Sequence, residues 1–187
     1  MRATNILIGG EAGQGLVTVG QLLCRILVRH GYHIVVTQSY ESRIRGGHNT
    51  FAVRVSPEPI EAPAEAIDLL VALNDETVKL HGAELSAEGR IVAAESFCGS
   101  DEKCLRVPFD EFGKPQYRNT AALGVICALL GVEAGNAAKI VGEAFVSKHP
   151  EAVEGNRGAF EKAHAWAEGK SSFARKLPPG NGRNRIV

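Results

Sequence analysis

Residues 9–20 read Gly-Gly-Glu-Ala-Gly-Gln-Gly-Leu-Val-Thr-Val-Gly, directly after the apolar run Ile6-Leu7-Ile8 and ahead of an amphipathic segment that ends near His30. A glycine-rich turn between a strand and a helix lets backbone N–H groups approach whatever lies above it, whether a phosphate or a neighbouring protein surface. From Gly15 to His30 the apolar positions Leu16, Val19, Leu22, Leu23, Ile26 and Leu27 recur on one helical face, and Gly31 ends the pattern. The next segment, Tyr32 to Thr37, is β-branched and aromatic, so strand, helix and strand follow in the order of a right-handed βαβ unit. The expectation is a single α/β domain, Rossmann-like, with a mostly parallel sheet flanked by helices.

Reading outward, Gln38 to Asn49 is polar, carries Arg43 and Arg45, ends in the Gly46-Gly47 turn and reads as a long surface loop. Thr50 to Ser56 alternates as a half-exposed strand does, and Pro57 and Pro59 end it. Ala66 to Leu73 is a buried strand, with Asn74-Asp75 placed to cap a short helix through His81. Arg90 to Ala93 is a further strand, Glu95 to Lys103 a loop, and Cys104 to Pro108 an edge or partner-facing segment. Asn119 or Thr120 is expected to cap an apolar helix ending at Leu130, with Gly124 as a point of close packing and Gly131 as the stop. Two more helices are expected over Asn136 to Ser147 and Pro150 to Glu168, the second with proline at a favourable start. The folded domain is thus expected over 1–168. Residues 169–187 are basic, rich in proline and glycine, and read as a linker or tail. Because Arg185-Ile186-Val187 resembles the opening of a strand, the expectation is a domain cut from a longer protein.

With 187 residues, 44% of them hydrophobic, the chain has enough material for one core of this kind. Lysine plus arginine and aspartate plus glutamate balance at 21 each, so no general field drives it to nucleic acid or to an anionic membrane. Any anion binding must come from local placement. No segment approaches the length of a bilayer-spanning helix, and the N-terminus lacks the layout of a signal peptide. Cys24, Cys98, Cys104 and Cys127 show no C-x-x-C pair and no zinc-type spacing, which argues against a metal or iron–sulfur site built by this chain alone. Reduced cysteines without an export signal point to the cytoplasm.

The glycines Gly10, Gly13 and Gly15 match a dinucleotide fingerprint only in part, because Thr18 stands where its last glycine belongs. That fingerprint also needs an acidic residue near the end of the second strand, and none occurs between Glu11 and Glu41. No Gly-Lys-Ser or Gly-Lys-Thr ending makes a triphosphatase loop. Arg43, Arg45 and His48 around Gly46-Gly47 offer guanidinium forks and close backbone approach to an anion; the competing reading is a solvated loop. The two unusual loops leave the same edge of an α/β sheet, which favours a shared binding surface. His30, His33, His81, His149 and His164 have no partners nearby in sequence and receive no chemistry. No nucleophile with its base, spaced carboxylate pair or thiamine-binding signature is present, so the residues describe a binding domain.

Three segments together carry a resemblance: GGEAGQGLVTVGQLL, SYESRIRGGHNTFAVRVS and NTAALGVICALLG. The combination resembles the gamma subunit or domain of 2-oxoacid:ferredoxin oxidoreductases over most of residues 1–168. The resemblance implies membership of a complex that converts a 2-oxoacid and coenzyme A to acyl-CoA and carbon dioxide, with electrons passing to ferredoxin. It implies no cofactor bound by this chain alone, with thiamine diphosphate, Mg and iron–sulfur clusters held elsewhere in the complex. It implies alpha and beta catalytic partners, an iron–sulfur delta subunit and ferredoxin as partners, no nucleic acid or membrane, and a homodimer among the states open to the isolated chain. It places Gly10, Gly13, Gln14, Gly15, Arg43, Arg45, Gly46, Gly47, His48, Asn49 and Asn119 at the interface or near coenzyme A, with no catalytic residue. The Ser-Tyr-Glu-Ser-Arg-Ile-Arg-Gly-Gly-His-Asn version from Ser39 to Asn49 is more like gamma domains fused to a catalytic domain, which tilts the substrate toward 2-oxoglutarate and leaves indolepyruvate and branched-chain oxoacids open. A phosphate-, nucleotide- or coenzyme-binding module without redox role is the alternative.

Overall fold

The computed structural model describes residues 3–13, 15–40, 47–63, 66–146 and 149–181. They group into two compact units, Met1–Val107 with Leu177–Val187, and Pro108–Lys176.

The first unit contains β1 (Thr4–Glu11), α1 (Leu16–Arg29), β2 (His33–Tyr40), β3 (His48–Ser56), β4 (Ile67–Ala72), α2 (Asp75–His81), β5 (Leu85–Ala94), α3 (Glu95–Cys98) and β6 (Cys104–Val107). The strands form one mixed sheet in the order β2-β3-β1-β4-β5-β6. β1, β4, β5 and β6 pair in parallel, while β3 lies antiparallel to both β1 and β2. The α/β class and the mostly parallel sheet expected from the sequence hold in this coarser form. The β1-α1-β2 unit differs from expectation in one respect: its two strands run the same way but are not neighbours, because β3 occupies the slot between them.

The apolar face of α1 buries Leu16, Val19, Leu22, Leu23, Ile26 and Leu27, each such burial stabilising by about 1.5–3 kcal/mol relative to exposure. Opposed residues of β1 and β3, including Ile6 with Val53 and Ile8 with Phe51, are buried as well. Gly20 lets α1 approach the sheet, since a Cβ there would lie 2.4 Å from the Phe51 ring. Gly31, at φ 82°, ends the helix with its N–H donating to Val28 O. A second cluster, Ile67, Leu70, Ala72, Ile91, Ala93, Cys98 and Cys104, packs with Leu7, Val78 and Phe97.

Cys98 and Cys104 are joined in a disulfide with Cα atoms 5.5 Å apart. This corrects the expectation of four reduced cysteines. The chain leaves β5 through the one turn of α3 and returns into β6, and that reversal brings together two cysteines whose sequence spacing carries no motif. Glu95 to Lys103, expected to be a loop, therefore includes α3.

The second unit contains α4 (Phe109–Phe112), α5 (Arg118–Leu130), α6 (Ala134–Phe145) and α7 (Val153–Glu168). α5 is buried along nearly its whole length and packs on α7, where a Cβ at Gly124 would meet Phe160 O at 2.4 Å. The expected cap at Asn119 or Thr120 is not made: α5 begins at Arg118 with Tyr117 as its cap residue, and Thr120 Oγ1 donates instead to Asn156 Oδ1 at 2.6 Å. Gly131 closes the helix in the left-handed region, as expected. Glu133 caps α6 by accepting from the Gly135 and Asn136 N–H groups. The tail makes contacts of its own. Arg175 N–H donates to Leu129 O at 2.7 Å within the second unit, and Gly180, in the first, is so close to His30 that a Cβ would sit 2.3 Å from its carbonyl oxygen. The strand-like ending Arg185 to Val187 lies outside the described residues. Among the described residues no helix is long and apolar enough to cross a membrane.

Candidate functional site

The glycine stretch divides into two parts. Gly9, Gly10 and Glu11 are the last residues of β1 and oppose Thr50, Asn49 and His48 of β3. Between β1 and α1, Gly13 and Gly15 take φ of 89° and 77°. Only glycine adopts such angles without strain. α1 then starts at Leu16 with no side-chain cap on its N-terminus and no acidic residue in its first turn. Its first N–H groups and the positive end of its dipole suit an anionic neighbour.

The second motif reaches the same place through the sheet. Gly47 O accepts from Ala12 N–H at 3.3 Å, and His48 and Asn49 open β3 beside Glu11 and Gly10. Antiparallel register thus brings together two motifs separated by more than 30 positions in sequence. His48 and Asn49 are buried at 8% and 9% exposure. Gly10, His48 and Asn49 lie at one end of the sheet, with Gly13, Gly15 and Gly47 in the connections that leave or enter it there. Asn119 is half-buried on α5 of the second unit. Gln14, Arg43, Arg45 and Gly46 fall outside the described residues.

α2 completes this end of the sheet. Asn74 caps it, as expected, with its side chain accepting from Thr77 N–H at 3.0 Å and from Thr77 Oγ1 at 2.7 Å. Thr77 is fully buried, and a Cβ on Gly9 would lie 2.4 Å from its methyl group and 3.2 Å from His48 Cε1. Gly9 is therefore needed to seat α2 against β1 and β3. At the other end of α2, His81 Nε2 lies 2.9 Å from His48 Nε2, and His81 Nδ1 lies 2.9 Å from Glu84 Oε2. The assignment of no chemistry to His81 missed this contact. Its one sequence signal is the spacing from His81 to Glu84, three residues across a helix end.

Chemically the site offers left-handed glycines, an uncapped helix start, buried polar residues at the mouth of β3 and a histidine pair braced by a carboxylate. Among the described residues no group of three histidine, cysteine or acidic side chains is placed to hold a metal ion. The fold and this site define an α/β protein with a polar, glycine-lined end to its sheet.

Comparison with known proteins gives that class a family. The family model for pyruvate ferredoxin/flavodoxin oxidoreductase matches residues 5–166. The chain belongs to this family, as the gamma component of a 2-oxoacid:ferredoxin oxidoreductase complex. It is 30% identical over 138 residues to 2-oxoglutarate synthase subunit KorC of Archaeoglobus fulgidus, covering 71% of this chain and 73% of that one. The gamma subunit of a keto/oxoacid ferredoxin oxidoreductase from Geobacter sulfurreducens superposes with a TM-score of 0.75 at 25% identity, covering 89% of this chain and 97% of that one. The 2-oxoglutarate:ferredoxin oxidoreductase of Magnetococcus marinus, solved with 2-oxoglutarate, coenzyme A and succinyl-CoA bound, shares the fold with a TM-score of 0.83 at 20% identity. This chain spans 34% of the length of that larger chain and 96% of its own.

Proposed function

We propose that this chain caps the coenzyme A site of its complex, presenting the glycine turn and the residues around Gly47-His48-Asn49 to the coenzyme and to the catalytic subunits. The observation that carries the reading is the bond from Ala12 N–H to Gly47 O, which joins the glycine turn ahead of the uncapped start of α1 to the residue that follows Arg43, Arg45 and Gly46 in sequence. Helix N–H groups suit phosphate, and arginine forks bind it in two-pronged fashion. Thiamine diphosphate, magnesium and the iron–sulfur clusters belong in this reading to the alpha, beta and delta partners, with ferredoxin as the electron acceptor. The likeness to two KorC subunits supports 2-oxoglutarate as the 2-oxoacid. The gamma domain of this reading covers 1–168, with 169–187 as its tail.

Replacing Arg43 and Arg45 together by alanine in the complex reconstituted with its catalytic partners tests the reading. The expected result is a rise of about tenfold or more in KM for coenzyme A with kcat little changed, or loss of assembly. Unchanged assembly and unchanged KM would overturn it. The uncapped helix start also favours a second reading, a module that holds phosphate by itself. Calorimetry of the isolated chain with coenzyme A separates the two, since tight binding without partners selects the second.

A further inference from the structure

Among the described residues the first unit ends on one side in an edge strand without the usual protection. Soluble proteins blunt exposed edges with charge, proline, bulges or shortness, because a free ladder edge is a template for another strand. β6, at the other edge, has four residues and carries Arg106. β2 has eight residues, His-Ile-Val-Val-Thr-Gln-Ser-Tyr, with no lysine, arginine, acid or proline among them. Its register with β3 is unbroken from His33 to Tyr40, so no bulge turns it away. Val36 and Tyr40 are 39% and 57% exposed, two of the four exposed large hydrophobic residues among those described. Among the described residues β2 has a strand on its β3 side only.

We propose that β2 pairs with β2 of a second copy of this chain, antiparallel across a twofold axis at Thr37, joining two six-stranded sheets into one. The backbone edge would accept any strand; what selects a second copy is that the sequence matches itself. A twofold axis perpendicular to the sheet opposes residues of the same face in reciprocal pairs. With Thr37 on the axis, Ile34 meets Tyr40, Val35 meets Ser39, Val36 meets Gln38 and Thr37 meets Thr37. Aromatic with β-branched and threonine with threonine are favourable cross-strand pairs. No charged side chain enters these pairs, and the formal net charge of the chain is zero, so self-association brings no like charges together.

Cysteine cross-linking of the full chain reads the register directly. Opposed Cα atoms in an antiparallel ladder are about 4.5–5.5 Å apart, within disulfide range, so Thr37→Cys is expected to form a covalent dimer on mild oxidation. Ser39→Cys alone leaves its two copies about 14 Å apart along the strands and is expected to stay uncross-linked, whereas mixing Val35→Cys with Ser39→Cys restores cross-linking. The wild-type chain, whose free thiols Cys24 and Cys127 are half-buried and buried, is the control. Val36→Lys is expected to raise the dimer dissociation constant in sedimentation by about tenfold or more, with an unchanged circular dichroism spectrum. The proposal is overturned if Ser39→Cys cross-links as readily as Thr37→Cys, or if Thr37→Cys yields no dimer while the wild type sediments as a monomer. It is equally overturned if Thr37→Cys, in the reconstituted complex, cross-links only to another subunit.

Discussion

His48 Nε2 and His81 Nε2 lie 2.9 Å apart, joining the first residue of β3 to the last of α2, with Glu84 Oε2 on the far nitrogen of His81. Between two imidazoles a hydrogen bond needs one donor and one acceptor. With the Glu84 carboxylate accepting from His81 Nδ1–H, His81 Nε2 is left to accept from His48 Nε2–H. His81→Ala removes the acceptor from a buried donor and is expected to lower unfolding free energy by about 1–3 kcal/mol. Glu84→Gln keeps an acceptor for Nδ1–H and is expected to cost less than half as much. Urea denaturation of the three proteins measures both; equal midpoints for wild type and His81→Ala would remove the bridge from the account.

Gly9 and Thr77 form a second test at the same end of the sheet. Gly9→Ala places a methyl 2.4 Å from Thr77 Cγ2 and 2.8 Å from its Oγ1. The expected cost is about 1–3 kcal/mol, as for other overpacked positions. In a Thr77→Ala background the collision is gone, so the same substitution is expected to cost far less, a coupling that a double-mutant cycle measures. Additive effects would mean that α2 does not approach β1 this closely in solution.

The strands and helices of the first unit were largely legible because their signals are local. Ile6 to Ile8 and Ala66 to Leu73 are continuous apolar runs, α1 has a clean apolar stripe, and Asn74 sits before its helix where a cap belongs. What was not legible is adjacency. Nothing in the β-branched run from Ile34 to Thr37 says that β3 will stand between it and β1, since periodicity reports faces and not neighbours. The bridge from His48 to His81 and the disulfide from Cys98 to Cys104 arise from that same tertiary placement. At α5 the sequence offered Asn119 and Thr120 as caps, but the apolar packing of the helix carries its start past them and turns Thr120 inward to Asn156.

The disulfide closes a short loop, its cysteines separated by 6 in sequence. In the chain-entropy account a loop of this size contributes roughly 2 kcal/mol by restricting the unfolded chain. Reduction with dithiothreitol, or Cys98→Ser with Cys104→Ser, is expected to lower the melting temperature by several degrees. Because both sulfur atoms sit within the cluster around Leu70 and Ile91, loss is expected to be felt at the β5–β6 edge first, as faster amide exchange there. Identical melting and exchange with and without reductant would contradict this.

Burial pushes the Cys24 thiol from 9.0 up to about 12 and raises that of Cys127 as well. The folded state therefore holds these protons more tightly than the unfolded state. The resulting stability is present in full below pH 9 and is lost as pH rises through the folded value. Between pH 9 and 11 the unfolding free energy is expected to fall by about 1.4 kcal/mol per pH unit for each such thiol. Cys24→Ala is expected to flatten that slope, and an unaltered slope would show that Cys24 is not the group responsible.

The contact of Gly180 with the end of α1 has a consequence for how the protein is made. Leu177 to Asn181 belong to the unit that begins the chain, yet they follow all of the helical unit in sequence. During synthesis the ribosome must therefore complete α4 to α7 before the last piece of the sheet-bearing unit emerges. Vectorial translation favours early folding of N-terminal segments. Here the half that starts first is the half that finishes last.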